Sequence, residues 1–161
     1  MELRSFGKTG FEVSALGFGG APIGYLETDR RQVAEILNTL LDQGVNLIDT
    51  AASYSGSEEA IGEAIGHRRD DYVLVSKCGQ AFQDIEGAAW SASAIEHTVE
   101  RALRRLKTDH IDVVLLHSCD LETLKKGEAL GALVKARDAG KVRFVGYSGD
   151  NEAATHAAGL D

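Results

Sequence analysis

Apolar runs in this chain end repeatedly on a side chain that can move a proton or polarise a carbonyl. Asp49 follows the run 45–48, Lys77 follows 72–76, His117 follows 111–116 and Ser148 follows 142–147, with Tyr54 in the segment after Asp49. A carboxylate, an amine, a phenol and an imidazole together suit proton-coupled carbonyl chemistry. A phenol exchanges its proton poorly at neutral pH, and a neighbouring ammonium such as that of Lys77 makes the phenolate easier to form. The Asp49 carboxylate can hold the lysine through a charge-assisted contact. His117 can donate to a substrate oxygen, orienting the carbonyl and stabilising the charge that develops there. Taken singly, each residue has a plainer reading. The histidine could be a hydrogen-bonded structural residue, the lysine or aspartate a loop residue or helix cap, Tyr54 a packing aromatic. Repetition at successive strand ends favours the chemical reading. No metal-ligand set accompanies these residues.

The elements that must position them follow from periodicity. Thr28 or Asp29 caps a helix with apolar Val33, Ile36, Leu37, Leu40 and Leu41, stopped by Gly44. Ser57 caps a shorter helix with Glu58 and Glu59 in its first turn, where the helix dipole favours carboxylates, and with Ala60, Ile61, Ala64 and Ile65 facing inward. Ser93 and Glu96 have capping-box spacing ahead of Val99, Ala102, Leu103 and Leu106. A further helix carries Leu130, Leu133 and Val134 and stops near Gly140, and Asp150 or Asn151 caps one more. In front, residues 3–6 and 11–13 form a hairpin about Gly7-Lys8-Thr9-Gly10, and 15–20 is the first strand of the main series. Continuous apolar strands alternating with amphipathic helices mean a parallel sheet covered by helices. In such folds the strand C-termini share one rim, where the chemistry sits. Five strands and four full crossover helices fit either a doubly wound sheet or part of a (β/α)8 barrel. No linker or composition shift divides the chain, so residues 1–161 read as a single domain.

A formal net charge of −8 argues against nucleic acid or an anionic membrane as partner. The basic patches Arg30-Arg31, His67-Arg68-Arg69 and 101–107 read as solvated helix faces. Two cysteines, Cys78 and Cys119, make neither a disulfide framework nor a zinc set, and no apolar stretch has the length of a membrane span. The expectation is a cytoplasmic protein. A Rossmann reading would want G-x-G-x-x-G after the first strand, and Gly17-Phe18-Gly19-Gly20-Ala21-Pro22 lacks that spacing.

At these residues the sequence resembles the aldo-keto reductase family. Arg4-Ser5-Phe6-Gly7-Lys8-Thr9-Gly10 with Leu16-Gly17-Phe18-Gly19 is similar to that family's opening hairpin and first strand. Asp49-Thr50-Ala51-Ala52-Ser53-Tyr54-Ser55-Gly56-Ser57-Glu58-Glu59 resembles its most specific signature. Val75-Ser76-Lys77, Leu115-Leu116-His117 and Gly140-Lys141-Val142-Arg143-Phe144-Val145-Gly146-Tyr147-Ser148 resemble later segments. The resemblance implies an α/β fold that is a partial (β/α)8 TIM barrel, with about five parallel strands and four to five helices behind an N-terminal hairpin. It implies reversible reduction of an aldehyde or ketone with NADP or NAD, NADP slightly favoured. Tyr54 would be the proton donor, Lys77 its tuning partner, Asp49 the holder of Lys77, and His117 the carbonyl-orienting group. Asp49 and Ser148 would contact the cofactor. Gly149 stands where the family usually has an Asn, which removes one amide contact. Tyr25 and Trp90 would line the substrate pocket, with exposed loop aromatics as the competing reading.

A barrel of this kind usually needs about 250 residues, and the family binds the far end of the cofactor with later units. The expectation is therefore a barrel truncated after its fifth strand, binding cofactor weakly or not at all by itself and pairing through open sheet edges with a second copy or a complementary half-barrel. The alternative function is a catalytically inactive fragment acting only as an assembly partner.

Overall fold

Among the described residues, the apolar runs form five parallel strands interleaved with helices, preceded by a two-stranded antiparallel hairpin. The computed structural model describes residues 1–26 and 28–149. The helix cap expected at Asp150 or Asn151 lies outside the described residues. Two compact units divide the chain, residues 1–76 with 102–109, and residues 77–101 with the segment from 110 onward.

In the first unit, β1 (Leu3–Ser5) pairs with β2 (Glu12–Ser14), Leu3 opposite Ser14. Asn46 ties this hairpin to the strand that follows. Its Oδ1 accepts from the Ser14 amide at 2.6 Å, its Nδ2 donates to the Glu12 carbonyl at 3.0 Å, and its own amide donates to Ser14 Oγ at 2.9 Å. Strands β3 (Phe18–Gly19), β4 (Leu47–Asp49) and β5 (Val73–Cys78) lie parallel in chain order. β3 is shorter than the 15–20 expected from sequence, because only two residues find ladder partners on β4.

Helix α1 (Ala21–Tyr25), which periodicity did not reveal at five residues, opens on Pro22 in its first turn. Helix α2 (Arg30–Asp42) is capped by Asp29, whose carboxylate accepts from the amides of Arg31 and Gln32. It ends at Gly44 (φ 82), with Gly44 N–H to Leu41 O at 2.9 Å and Val45 N–H to Leu40 O at 2.9 Å, a paired-bond stop that needs a left-handed residue. Val33, Leu37 and Leu41 are buried, but Ile36 is 39% exposed and so lies off the inner stripe. Helix α3 (Ser57–Ile65) starts from Gly56 (φ 71) and not from a Ser57 cap. A 3-10 segment, Gly66–Asp71, leads into β5. Leu37, Ile48, Ile61, Ile65 and Leu74 are among the fully buried side chains of this unit, each worth roughly 1.5–3 kcal/mol relative to exposure.

Helix α4 (Ala92–Leu106) begins in the second unit and ends in the first. Its start is marked by Ser91, whose Oγ accepts from the Ala94 amide at 3.2 Å, and Ser93 lies inside the helix. The capping box expected from Ser93 and Glu96 is therefore not formed at this helix start: the cap lies two residues earlier, and Ala94 stands where a box would need Glu or Gln. In the second unit β6 (Ile111–His117) pairs in parallel with β7 (Val142–Ser148) from Ile111↔Val142 to His117↔Ser148. Between them run α5 (Leu121–Lys126), too short to show a period, and α6 (Glu128–Asp138), separated by left-handed Gly127. The buried face of α6 is Ala129, Ala132, Leu133 and Ala136, while Leu130 is 41% exposed. Among the described residues no helix is long and apolar enough to cross a membrane.

Candidate active site

Asp49 is the last residue of β4, and its surroundings are fixed by buried hydroxyls. The Gly20 amide, just past β3, donates to the Asp49 carbonyl at 2.7 Å. Ser57 Oγ donates to the Gly20 carbonyl at 3.0 Å and shares a 2.9 Å hydrogen bond with Thr50 Oγ1. Thr50 and Ser57 are fully buried, so these bonds replace lost solvent contacts and lock the ends of β3 and β4 to the start of α3. Ser57 thus serves as a tie between elements.

Tyr54 sits on the turn between β4 and α3, with its amide donating to Ala51 O at 3.0 Å and its carbonyl accepting from Ser57 N–H at 2.9 Å. The half-buried Tyr54 ring meets the edge of Tyr25, centroids 5.7 Å apart at 63°. Tyr25 is 68% exposed at the end of α1. The structure therefore brings together two of the residues singled out from sequence, the candidate proton donor and a candidate pocket aromatic.

Lys77 is the penultimate residue of β5 and 6% exposed. Its predecessor Ser76 donates to Glu58 Oε1 of α3 at 2.9 Å. Successive strand side chains alternate faces, so Lys77 leaves β5 on the face opposite Ser76. Glu58, expected as a first-turn carboxylate serving the helix dipole, is 1% exposed. Arg105 Nη1 lies 3.8 Å from its Oε2, while Arg105 Nε holds Glu59 at 2.8 Å. Sequence spacing carries no sign of this support, because Ser76, Glu58 and Arg105 come from three separate elements.

His117 ends β6 directly opposite Ser148, the last residue of β7. Asp49, His117 and Ser148 are thus terminal strand residues, and Lys77 lies one before a terminus, where the sequence had suggested positions just beyond. Ser118 adopts φ 63 and donates its amide to the Ser148 carbonyl at 2.6 Å, which closes the ladder past the strand ends. The Ser148 hydroxyl has no hydrogen-bond partner among the described residues. Tyr147 donates its hydroxyl to the Cys119 carbonyl at 3.2 Å. A β-carbon at Gly149 would meet the Tyr147 hydroxyl and lie 2.8 Å from Tyr147 Cζ and 3.1 Å from the Ser118 α-carbon, so a larger residue there requires the Tyr147 ring to shift. Asp120 caps α5 through the Thr123 amide at 2.8 Å, and that bond holds its carboxyl below the usual range. Trp90, half-buried, lies over Gly79, two residues beyond Lys77.

An α/β chain whose parallel strands carry Asp49, Lys77, His117 and Ser148 at their last or penultimate positions defines a β/α class with a polar strand-end series. Residues 15–158 match the Aldo/keto reductase family model, and the chain belongs to that family. It is 32% identical over 158 residues to an L-galactose dehydrogenase of Arabidopsis thaliana, covering 92% of this chain and 49% of that protein. An aldo-keto reductase structure from Pseudomonas aeruginosa superposes with a TM-score of 0.88 at 38% identity, over 97% of this chain and 63% of the other. A Klebsiella pneumoniae aldo/keto reductase in complex with NADP and acetate gives 0.73 at 34% identity, over 91% and 49%. The chain spans about half the length of the relatives it matches in sequence.

Proposed function

We propose that residues 1–161 belong to a single reductase domain that reduces an aldehyde or ketone to an alcohol, reversibly, with NADP favoured over NAD. The observation that carries this reading is the strand-end series itself. Asp49, Lys77, His117 and Ser148 each occupy the last or penultimate position of a parallel strand, in a chain of the aldo-keto reductase family.

When bound, the reduced nicotinamide supplies the hydride for the carbonyl carbon. Ser148 fits such a group, since its half-buried hydroxyl has no partner among the described residues while its carbonyl is already engaged by Ser118. Asp49 joins it in holding that end of the cofactor. Gly149 contributes no side-chain contact there. The complex of the Klebsiella relative with NADP supports the choice of cofactor.

Tyr54 gives its proton to the carbonyl oxygen as that oxygen gains charge. Lys77 stabilises the phenolate left behind, and its low exposure keeps water from weakening that attraction. Asp49 holds the Lys77 ammonium. His117 donates to the same carbonyl oxygen, fixing its direction and lowering the energy of the developing oxyanion. Tyr25, which already meets the Tyr54 ring, and Trp90 line the side where the rest of the substrate lies.

The test is loss of NADPH absorbance on adding a generic aldehyde to the purified chain, repeated with NADH. Aldehyde-dependent oxidation, faster with NADPH, is the expected result. No aldehyde-dependent oxidation with either cofactor would sink the proposal for this chain.

A further inference from the structure

The basic run 101–107 reads in sequence as a solvated helix face, yet Arg101 on α4 is 4% exposed. Its guanidinium pairs with Asp84 and lies 4.3 Å from the centroid of the Phe82 ring. Both partners belong to the segment between β5 and α4. Burying a cation is costly unless other groups take up its charge, and here an acid and an aromatic face do so. Arg101 Nε and Nη2 make no hydrogen bond among the described residues. Direct pairing to this one segment is therefore the main return for its burial.

The segment is tied at its neck. Trp90 N–H donates to the Gly79 carbonyl at 2.7 Å, and the indole covers Gly79 so closely that a β-carbon there would lie within 2.8 Å of Trp90 Cη2. Gly79 has φ +121, and Trp90 has φ 67, a conformation L side chains rarely adopt. Such a conformation persists only where the surroundings over-determine it. Inside the loop, Ile85 is 8% exposed and its amide donates to Phe82 O at 3.2 Å, while Ser93 Oγ of α4 donates to Glu86 O at 3.2 Å. A loop closed at its ends and packed by its own side chains is a compact Ω-type lobe. Beside it, Trp90, Ala88, Ala89, Thr123, Lys126 and Ala129 line a cavity of about 390 Å³.

We infer that Arg101 is a positioning residue that clamps the loop 80–89 onto α4 and so fixes Trp90 as a wall of this cavity, which selects the part of the carbonyl substrate remote from the reacting carbon. The substrate half of this inference rests on the proposed reductase activity, and the clamp does not. Because Trp90 is the sole tryptophan, its fluorescence reports on the clamp directly.

The experiment compares acrylamide quenching of Trp90 in the wild-type chain with Arg101→Met, Arg101→Lys and Asp84→Asn, each checked for unchanged far-UV circular dichroism. Releasing the clamp raises quenching about twofold in Arg101→Met and Asp84→Asn, as expected for a locally opened loop. Arg101→Lys, which keeps the charge and loses the flat stack on Phe82, falls between. Should Arg101→Met fail to fold, Asp84→Asn decides, since its side chain is 55% exposed and its replacement spares the core. Quenching equal to wild type in every folded variant overturns the clamp. In turnover, the kcat/KM preference of wild type between a bulky and a small aldehyde shifts about tenfold in Asp84→Asn, the scale of a pocket-wall change. An unchanged preference overturns the selective role. If the wild-type chain turns over no aldehyde, the reductase reading fails and the selective role with it, while quenching still decides the clamp.

Discussion

Gly24 of α1 rests directly on the backbone of Ser55, and a β-carbon at position 24 would lie 2.7 Å from both the amide nitrogen and the carbonyl oxygen of Ser55. The same β-carbon would be 2.9 Å from the carbonyl carbon of Tyr54. Neither obstacle is a side chain that can rotate aside. This contact sets how closely the helix bearing Tyr25 approaches the turn bearing Tyr54.

Gly24→Ala must therefore move α1 or the 54–55 turn. Overpacking of this kind costs about 1–3 kcal/mol, and a displacement near an ångström at a reacting group costs on the order of 10²-fold in rate. The expected outcome is a folded protein with a modestly lowered melting temperature and a disproportionate fall in kcat. Wild-type kcat in the folded variant would show that the contact does not position Tyr54.

Gly62 of α3 makes a comparable contact away from the strand ends. A β-carbon there would collide with the Arg105 carbonyl and lie 2.8 Å from the backbone of Leu106. Gly62→Ala is expected to lower stability by roughly 1–3 kcal/mol in urea denaturation. A neutral or stabilising effect, as at an ordinary exposed helix glycine, would contradict the packing described.

What the sequence made legible is what local physics decides. The strand that reaches Asp49, which begins at Leu47 and not at Val45, the cap at Asp29, one of the two candidates, and the Gly44 stop are each set by residues adjacent in the chain, and each is present. Helices α1 and α5 escaped because five or six residues do not complete a readable period. The supports of the site were illegible for another reason. Glu58 looks like a dipole-facing carboxylate, and Arg101 like a solvated cation, until the fold supplies Ser76 for one and Phe82 with Asp84 for the other. Partners on other elements convert surface-type residues into buried ties, and periodicity along one helix cannot name them. The strand-end residues themselves were visible because a polar group closing a buried strand stands out against its apolar run.

Cys119, 2% exposed, lies two residues beyond His117, and burial pushes its thiol above the ordinary range. The fold thus keeps it protonated where an unfolded chain would ionise it. Its contribution to stability is complete below the unfolded thiol pKa and declines as pH rises from there through the folded value. Native-state iodoacetamide labelling, followed by mass spectrometry to separate Cys119 from Cys78, should be far slower at neutral pH than in the denatured chain. Equal rates in the two states would contradict the burial of Cys119.

Replacing Tyr54 with Phe removes one hydroxyl from a half-buried ring and leaves the edge contact to Tyr25 intact. If that hydroxyl is the proton donor, NADPH-dependent aldehyde reduction by Tyr54→Phe should fall by about 10²–10⁴-fold, with the melting temperature nearly unchanged. Reduction at the wild-type rate by the folded variant would contradict the account at its centre.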